Sequence, residues 1–224
     1  MLSDKELIHI YKKTDTSKSV GLDVNYGTYE TDTDFVLMFE GSASVLDWML
    51  DLFAFRIPYK NKSMFYIVHS GFCVAWKSAN DFFLNMIKEK IAEWKEQSIE
   101  KTVHIIGHSL GAAIATLCME DVIFNYKELH GKLNLVTYGC PRVYGIFNHK
   151  KIVKRFKEAS RVMRYVNGCD MVPAIPFFPS FMHICKATKV GEKWSLKRFF
   201  KHAFTDHGPS EYRDALDIYY PDSL

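Results

Sequence analysis

Residues 105–113 read IIGHSLGAA, and the fold turns on them. An apolar run, TVHII (102–106), enters Gly107, and LGAAIATLCMEDVIFNY (110–126) leaves from Leu110 with a helical composition. Between them stands G-x-S-x-G: Gly107, His108, Ser109, Leu110 and Gly111. A serine at this spacing between strand and helix sits on a tight, strained turn with its hydroxyl raised above the sheet. Glycines two residues to either side let strand and helix approach without Cβ clashes. The helix N-terminus behind the serine offers a backbone N–H and the favourable end of a dipole to a developing oxyanion. Five residues match this pattern by chance when context is ignored. Here the apolar strand before and the alanine-rich helix after are the required context.

Outward from the elbow, apolar runs alternate with helical periods. DFVLMF (34–39), MFYIV (64–68), LNLVTY (133–138) and RVMRYV (161–166) have strand length. Residues 2–13, 72–97, 147–159 and 210–219 have helical period. Residues 14–33 read as turns with one short strand, and 171–179, with three prolines, as irregular. KATKV (186–190) and EKWSL (192–196) suggest a hairpin around Gly191. Strands separated by helices predict an α/β class with a mostly parallel central sheet. The 224 residues, with 48% apolar and 25% charged side chains, predict one globular domain over 1–224.

Net charge is +3, too mild to argue for nucleic acid. Aromatics are abundant at 15%, more than a core alone requires, and such an excess often lines an apolar pocket or rim. The five cysteines are odd in number and form no C-x-x-C pair, so neither a disulfide framework nor a zinc site is expected, and no metal or cofactor is implied. Residues 1–20 hold no apolar run of signal-peptide length, and no stretch approaches 18 apolar residues. The expectation is a cytoplasmic protein, with leaderless release or virion packaging equally compatible.

A serine nucleophile needs a base and an acid that orients it. Asp170, in NGCDMVPAIPF after the strand RVMRYV, sits in a loop where an acid can aim at an imidazole. Asp121 lies within the helix after the elbow and is the poorer choice. Downstream of Asp170 stand His183, His202 and His207. His207 is preferred because TDHGPSEY is a Gly/Pro loop just before the last helix; sequence order alone does not separate the three.

These motifs together resemble the class 3 lipases, a family with an α/β-hydrolase fold, over roughly residues 34–215. FVLMFEGS (35–42), DWMLDL (47–52), VHSGF (68–72), GHSLGAA (107–113), YGCPRVYG (138–145), DMVPAIP (170–176), MHICKATKVGEKW (182–194) and DHGPSEY (206–212) follow the family's order. The resemblance implies Ser109 as nucleophile, Asp170 as acid and His207 as base. It also implies an oxyanion hole from the backbone N–H groups of Ser42 and Leu110, and a lid over about residues 43–57. VLDWMLDLFAF (45–55) fits a lid: only Asp47 and Asp51 interrupt nine apolar residues, so a helix there must cover an apolar surface. A permanently buried helix is the alternative. One departure is Glu40, where the family carries Arg before the oxyanion glycine.

The resemblance implies a serine carboxylester hydrolase acting on glycerolipids, with a phospholipase or a soluble esterase as alternatives. A catalytically silent lipid-binding protein is the alternative of another class. The expected partner is a lipid ester, with peripheral contact to a lipid surface. Trp48, Phe53, Phe55, Ile175, Phe177, Phe178 and Phe181 are candidate apolar contacts, each on its own equally suited to a core. Two basic stretches stand out. HKKIVKRFKEASRVMR (149–164) reads first as a solvated helix face, with a lipid-headgroup contact as the alternative. KWSLKRFFKHAF (193–204) mixes Lys and Arg with aromatics close to His207, as an interfacial rim or a surface loop with buried aromatics would.

Overall fold

The elbow strand is the centre of the molecule. The computed structural model describes residues 1–41, 56–61, 64–147, 149–176 and 180–220. Strand β6 (Thr102–His108) is flanked by β3 (Asp34–Phe39) and β7 (Leu133–Tyr138), and both pairings are parallel. β9 (Arg161–Asn167) and β11 (Thr188–Val190) continue the parallel run, while β1 (Lys18–Val20) and β2 (Val24–Glu30) add antiparallel to the other edge. The order is β1-β2-β3-β6-β7-β9-β11. β3 and β7 are buried at every position because helices cover both faces, which is why parallel strands read as unbroken apolar runs.

The pleat divides those runs between two cores. Phe35, Leu37 and Phe39 pack with helices α2 (Ser70–Glu96) and α3 (Leu110–Asn125). Val36 and Met38 pack on the other face, with α1 (Asp4–Lys13) and α6 (Pro209–Tyr219). Trp76 and Phe83 of α2 are fully buried, each such side chain contributing roughly 1.5–3 kcal/mol. Ser3 caps α1 reciprocally with Glu6, fixing where that helix starts.

A second sheet stands apart: β10 (Phe181–Met182), β8 (Tyr144–Gly145), β5 (Met64–His69) and β4 (Arg56–Asn61), all antiparallel. Buried polar groups tie it to α3. Tyr59 and the Trp76 indole both donate to Asp121 Oδ2, at 2.5 and 2.7 Å. Tyr66 and Arg155 donate to the two oxygens of Glu120. Burial, then the neighbouring Glu120, pushes the Asp121 carboxyl up to about 7.

Residues 14–33 hold two strands rather than one, because β1 and β2 form a hairpin on the sheet edge. Residues 186–196 form no hairpin: β11 pairs parallel with β9, and Ser195 caps helix α5 (Leu196–His202), accepting from the Arg198 N–H. The helix over 147–159 is shorter, α4 (His149–Arg155) followed by a 3-10 turn at 156–158. Arg56 and Ile57, at the end of the expected lid, belong to β4. The rest of that lid, with Ser42, Trp48, Phe53 and Phe55, lies outside the described residues, as do Phe177 and Phe178. Phe181 is core, fully buried at the start of β10.

Candidate active site

At the C-terminal end of β6 the chain reverses direction within one residue. Ser109 takes φ 56° and ψ −124°, a conformation rare for a residue with a Cβ and stored where the surroundings over-determine it. Its N–H donates to the Tyr138 carbonyl of the neighbouring strand at 2.9 Å. The two elbow glycines are required by contact. A Cβ on Gly107 would meet the Gly111 carbonyl oxygen at 2.3 Å, and one on Gly111 the Phe39 oxygen at 2.2 Å. Gly41, at the exit of β3, lies against Ser109 in the same way. Leu110 is the first residue of α3, so its N–H has no acceptor within the helix.

Three of the candidate residues meet. His207 Nε2 lies 2.8 Å from Ser109 Oγ, and His207 Nδ1 lies 2.9 Å from Asp170 Oδ2. With Nδ1–H donating to the carboxylate, Nε2 faces the serine as an acceptor. Asp170 arrives from the turn after β9, held by the Val172 N–H on Oδ1 at 2.9 Å. His207 arrives from the loop after α5. The other histidines are elsewhere. His183 donates to the Pro173 carbonyl at 2.8 Å, and burial, then Arg164, pushes its pKa down to about 3. His202 sits beside Thr205. Asp121 is engaged in the α3 cluster described above.

Sequence reasoning assigned nothing to three further residues. Tyr212, in the first turn of α6, donates to the same Asp170 Oδ2 at 2.5 Å and is fully buried. Its signal is positional: a large residue one turn into a helix that begins two residues after His207. His108 Nε2–H donates to the His207 carbonyl at 2.6 Å, with the two rings 4.7 Å apart. Burial, then His207, pushes the His108 pKa down to about 3, so it stays neutral beside the other imidazole. Asp206 accepts from the Cys169 N–H at 2.8 Å and from Arg198 at 3.1 Å, fastening the His207 loop to the Asp170 turn. Glu40, where the family carries Arg, is exposed and accepts from the Thr16 hydroxyl at 2.6 Å.

Beside His207 opens a cleft of about 660 Å³, lined among the described residues by Tyr11, Asn25, Glu40, His108, Val172 and Phe204. An oriented carboxylate, an imidazole bonded to it and a serine hydroxyl bonded to that imidazole form the arrangement for nucleophilic acyl transfer.

The sequence from 36 to 180 matches the model of the family described as Lipase (class 3). That span contains Ser109 and Asp170 and stops short of His207. The chain is 30% identical over 154 residues to phospholipase A(1) DAD1, chloroplastic, of Arabidopsis thaliana, covering 64% of this chain and 34% of that protein. It is 28% identical over 178 residues to secreted mono- and diacylglycerol lipase A of Penicillium cyclopium, covering 76% of this chain and 50% of that one. Among solved structures it resembles a Rhizomucor miehei lipase propeptide complex at a TM-score of 0.68 and 25% identity, over 80% of this chain and 56% of that one. The chain thus spans about a third to a half of the length of these curated relatives. The expectation of a cytoplasmic protein is overturned, since the Penicillium relative is named as secreted and points outside the cell. The expectation rested on the lack of an apolar leader-like run or span and on unpaired cysteines, and neither carries an address. All five are free and four are buried, as packing alone would place them.

Proposed function

The chain belongs to the class 3 lipase family, and from that premise we propose that it is a serine carboxylester hydrolase acting on glycerolipids. One observation carries the reading: Ser109 Oγ, His207 and Asp170 form a continuous hydrogen-bonded line on a strained elbow. In this reading His207 Nε2 takes the proton of Ser109 as Oγ attacks the ester carbonyl, and Asp170 holds the imidazole in the right tautomer. The C–O bond to the alcohol breaks as His207 returns the proton to the leaving oxygen. Water, deprotonated by His207, then releases the acid and restores Ser109. The tetrahedral oxygen is assigned to the N–H groups of Leu110 and Ser42; losing one such donor commonly costs about 3–4 kcal/mol of transition-state stabilisation.

Residues 1–224 are taken as one catalytic domain. The lid and the acyl contacts at Trp48, Phe53, Phe55, Phe177 and Phe178 belong to the same proposal. A phospholipase reading is favoured by the Arabidopsis relative, whose name is that of a phospholipase A(1). Hydrolysis of diacylglycerol and phosphatidylcholine by the same preparation, with released positions identified, separates the two.

The first test is covalent. A fluorophosphonate is expected to label Ser109 in the folded protein, and Ser109→Ala to lose at least about 10⁴-fold in kcat while keeping its thermal midpoint. An unlabelled serine in folded protein, or a retained rate in the variant, overturns the proposal.

A further inference from the structure

Helix α5 leads into the loop that carries His207, and its outer face is apolar and bare. Trp194, Leu196, Phe200 and Phe204 are exposed by 60%, 61%, 81% and 52%. Leu196 and Phe200 stand one turn apart on the same face, and Phe204 follows two residues beyond the end of the helix. Lys193, Lys197 and Lys201 recur at the same interval, one position over, and all three are exposed. The inner side of the helix is fixed. Arg198 bonds Asp206 and Glu192, and the Ala203 carbonyl accepts from the Met171 N–H, next to Asp170. Phe204 lines the same cleft as His207.

A solvated face has no use for four large apolar side chains, and a protein-facing core patch is depleted in lysine. Apolar side chains edged by lysines are the composition of a helix lying in a lipid interface. Its charge is net positive, since Lys193, Lys197, Lys201 and Arg198 outnumber the two acids that Arg198 holds, Glu192 and Asp206. The other basic surface is ill placed for this task. Lys127, Lys151 and Lys154 line a groove with residues at the far end of α3, about 24 Å along a 16-residue helix from Ser109.

We propose that α5 docks the molecule on an anionic lipid surface. Leu196, Phe200 and Phe204 enter the acyl boundary, Trp194 sits at headgroup depth, and Lys193, Lys197 and Lys201 face the lipid phosphates. The docked helix brings the mouth of the His207 cleft down onto the surface that supplies the ester. This deepens the hydrolase reading and rests on it for its purpose, but binding is measured without turnover.

The full chain is mixed with vesicles of pure phosphatidylcholine, or of equal parts phosphatidylcholine and phosphatidylglycerol, and bound protein is measured by flotation. Binding is expected to be stronger to the anionic vesicles and to weaken with salt. Trp194→Ala with Phe200→Ala is expected to lower affinity for both vesicles by about tenfold or more. Lys197→Ala with Lys201→Ala is expected to lower it by about tenfold or more on the anionic vesicles alone. Both pairs replace exposed side chains, and each keeps the rate of hydrolysis of a soluble short-chain ester. Wild-type affinity in either pair, or no vesicle binding by the wild type, overturns the docking proposal. So does a concentration-dependent dimer that Phe200→Ala abolishes, since the face then belongs to a second copy. A chain that binds vesicles yet hydrolyses no ester overturns the hydrolase reading instead.

Discussion

Asp170 Oδ2 accepts two donors at once, the His207 N–H and the Tyr212 hydroxyl. Removing the second leaves a buried carboxylate with a partner missing, and a hydrogen bond to a charged group is worth roughly 1.5–3 kcal/mol. Tyr212→Phe is therefore expected to lower the thermal midpoint by several degrees and kcat by about tenfold, measured by calorimetry and ester hydrolysis. Gly139 makes a sharper demand. It holds φ +61°, and a Cβ there would lie 2.8 Å from His207 Cε1 and 2.9 Å from Asp170 Oδ2. Gly139→Ala is expected to reduce activity by about a hundredfold or more, because a 1 Å displacement in the site has that scale of cost. Gly131, at φ +78° with nothing within 4 Å of a built Cβ, is the control. Its alanine variant is expected to lose only about 1–2 kcal/mol of stability and no activity. At this scale the sequence was uneven. Ser109 was legible because its neighbours must be glycine, and those glycines survive in the text. Tyr212, His108 and Asp206 fell inside motifs but their roles were not legible, because a contact such as that of Tyr212 with a carboxylate 42 residues away leaves no local pattern.

Helix α3 joins the elbow to a buried carboxylate pair in its own middle. Asp121 stands well above its ordinary 3.8, mainly through burial, so the native state binds a proton more tightly than the unfolded chain does. That contribution is fully present below about pH 4 and is lost as pH rises through about 7. Asp121→Asn keeps an oxygen to accept from Tyr59 and Trp76 and removes the titration. The urea midpoint of the wild type is expected to fall between pH 5 and 7.5 more steeply than that of the variant. Equal slopes would mean that Asp121 does not carry the effect. Among elements, the parallel strands were readable because burial on both faces makes them continuous apolar runs. Of the second sheet only β5 was, as MFYIV (64–68), since β8 and β10 are two residues each and carry no period. The supposed hairpin failed because Gly191 suits a tight turn of either kind, whereas the capping serine at 195 pointed to a helix.

Across the whole molecule, Ser109 and Asp170 stand at the C-terminal ends of β6 and β9, and His207 comes from the loop between α5 and α6. Open α/β sheets place their sites at this edge, so the fold class, legible from alternating strands and helices, also fixed where to look. The cellular compartment was not legible, since buried thiols report packing before they report redox conditions. The first and last helices pack side by side: Lys5 Nζ donates to the Tyr220 carbonyl at 3.2 Å, and His9 meets Asp217 at 2.8 Å. The backbone between them is therefore close to a closed loop in space. Joining α6 to α1 by a short linker and reopening the chain at the exposed turn of Gly131 is expected to give a folded, active permutant, checked by circular dichroism and ester hydrolysis. In that molecule Asp170 and His207 would precede Ser109 along the polypeptide. The order serine, aspartate, histidine records one threading of the loop, and the chemistry asks only that the three arrive at the same place.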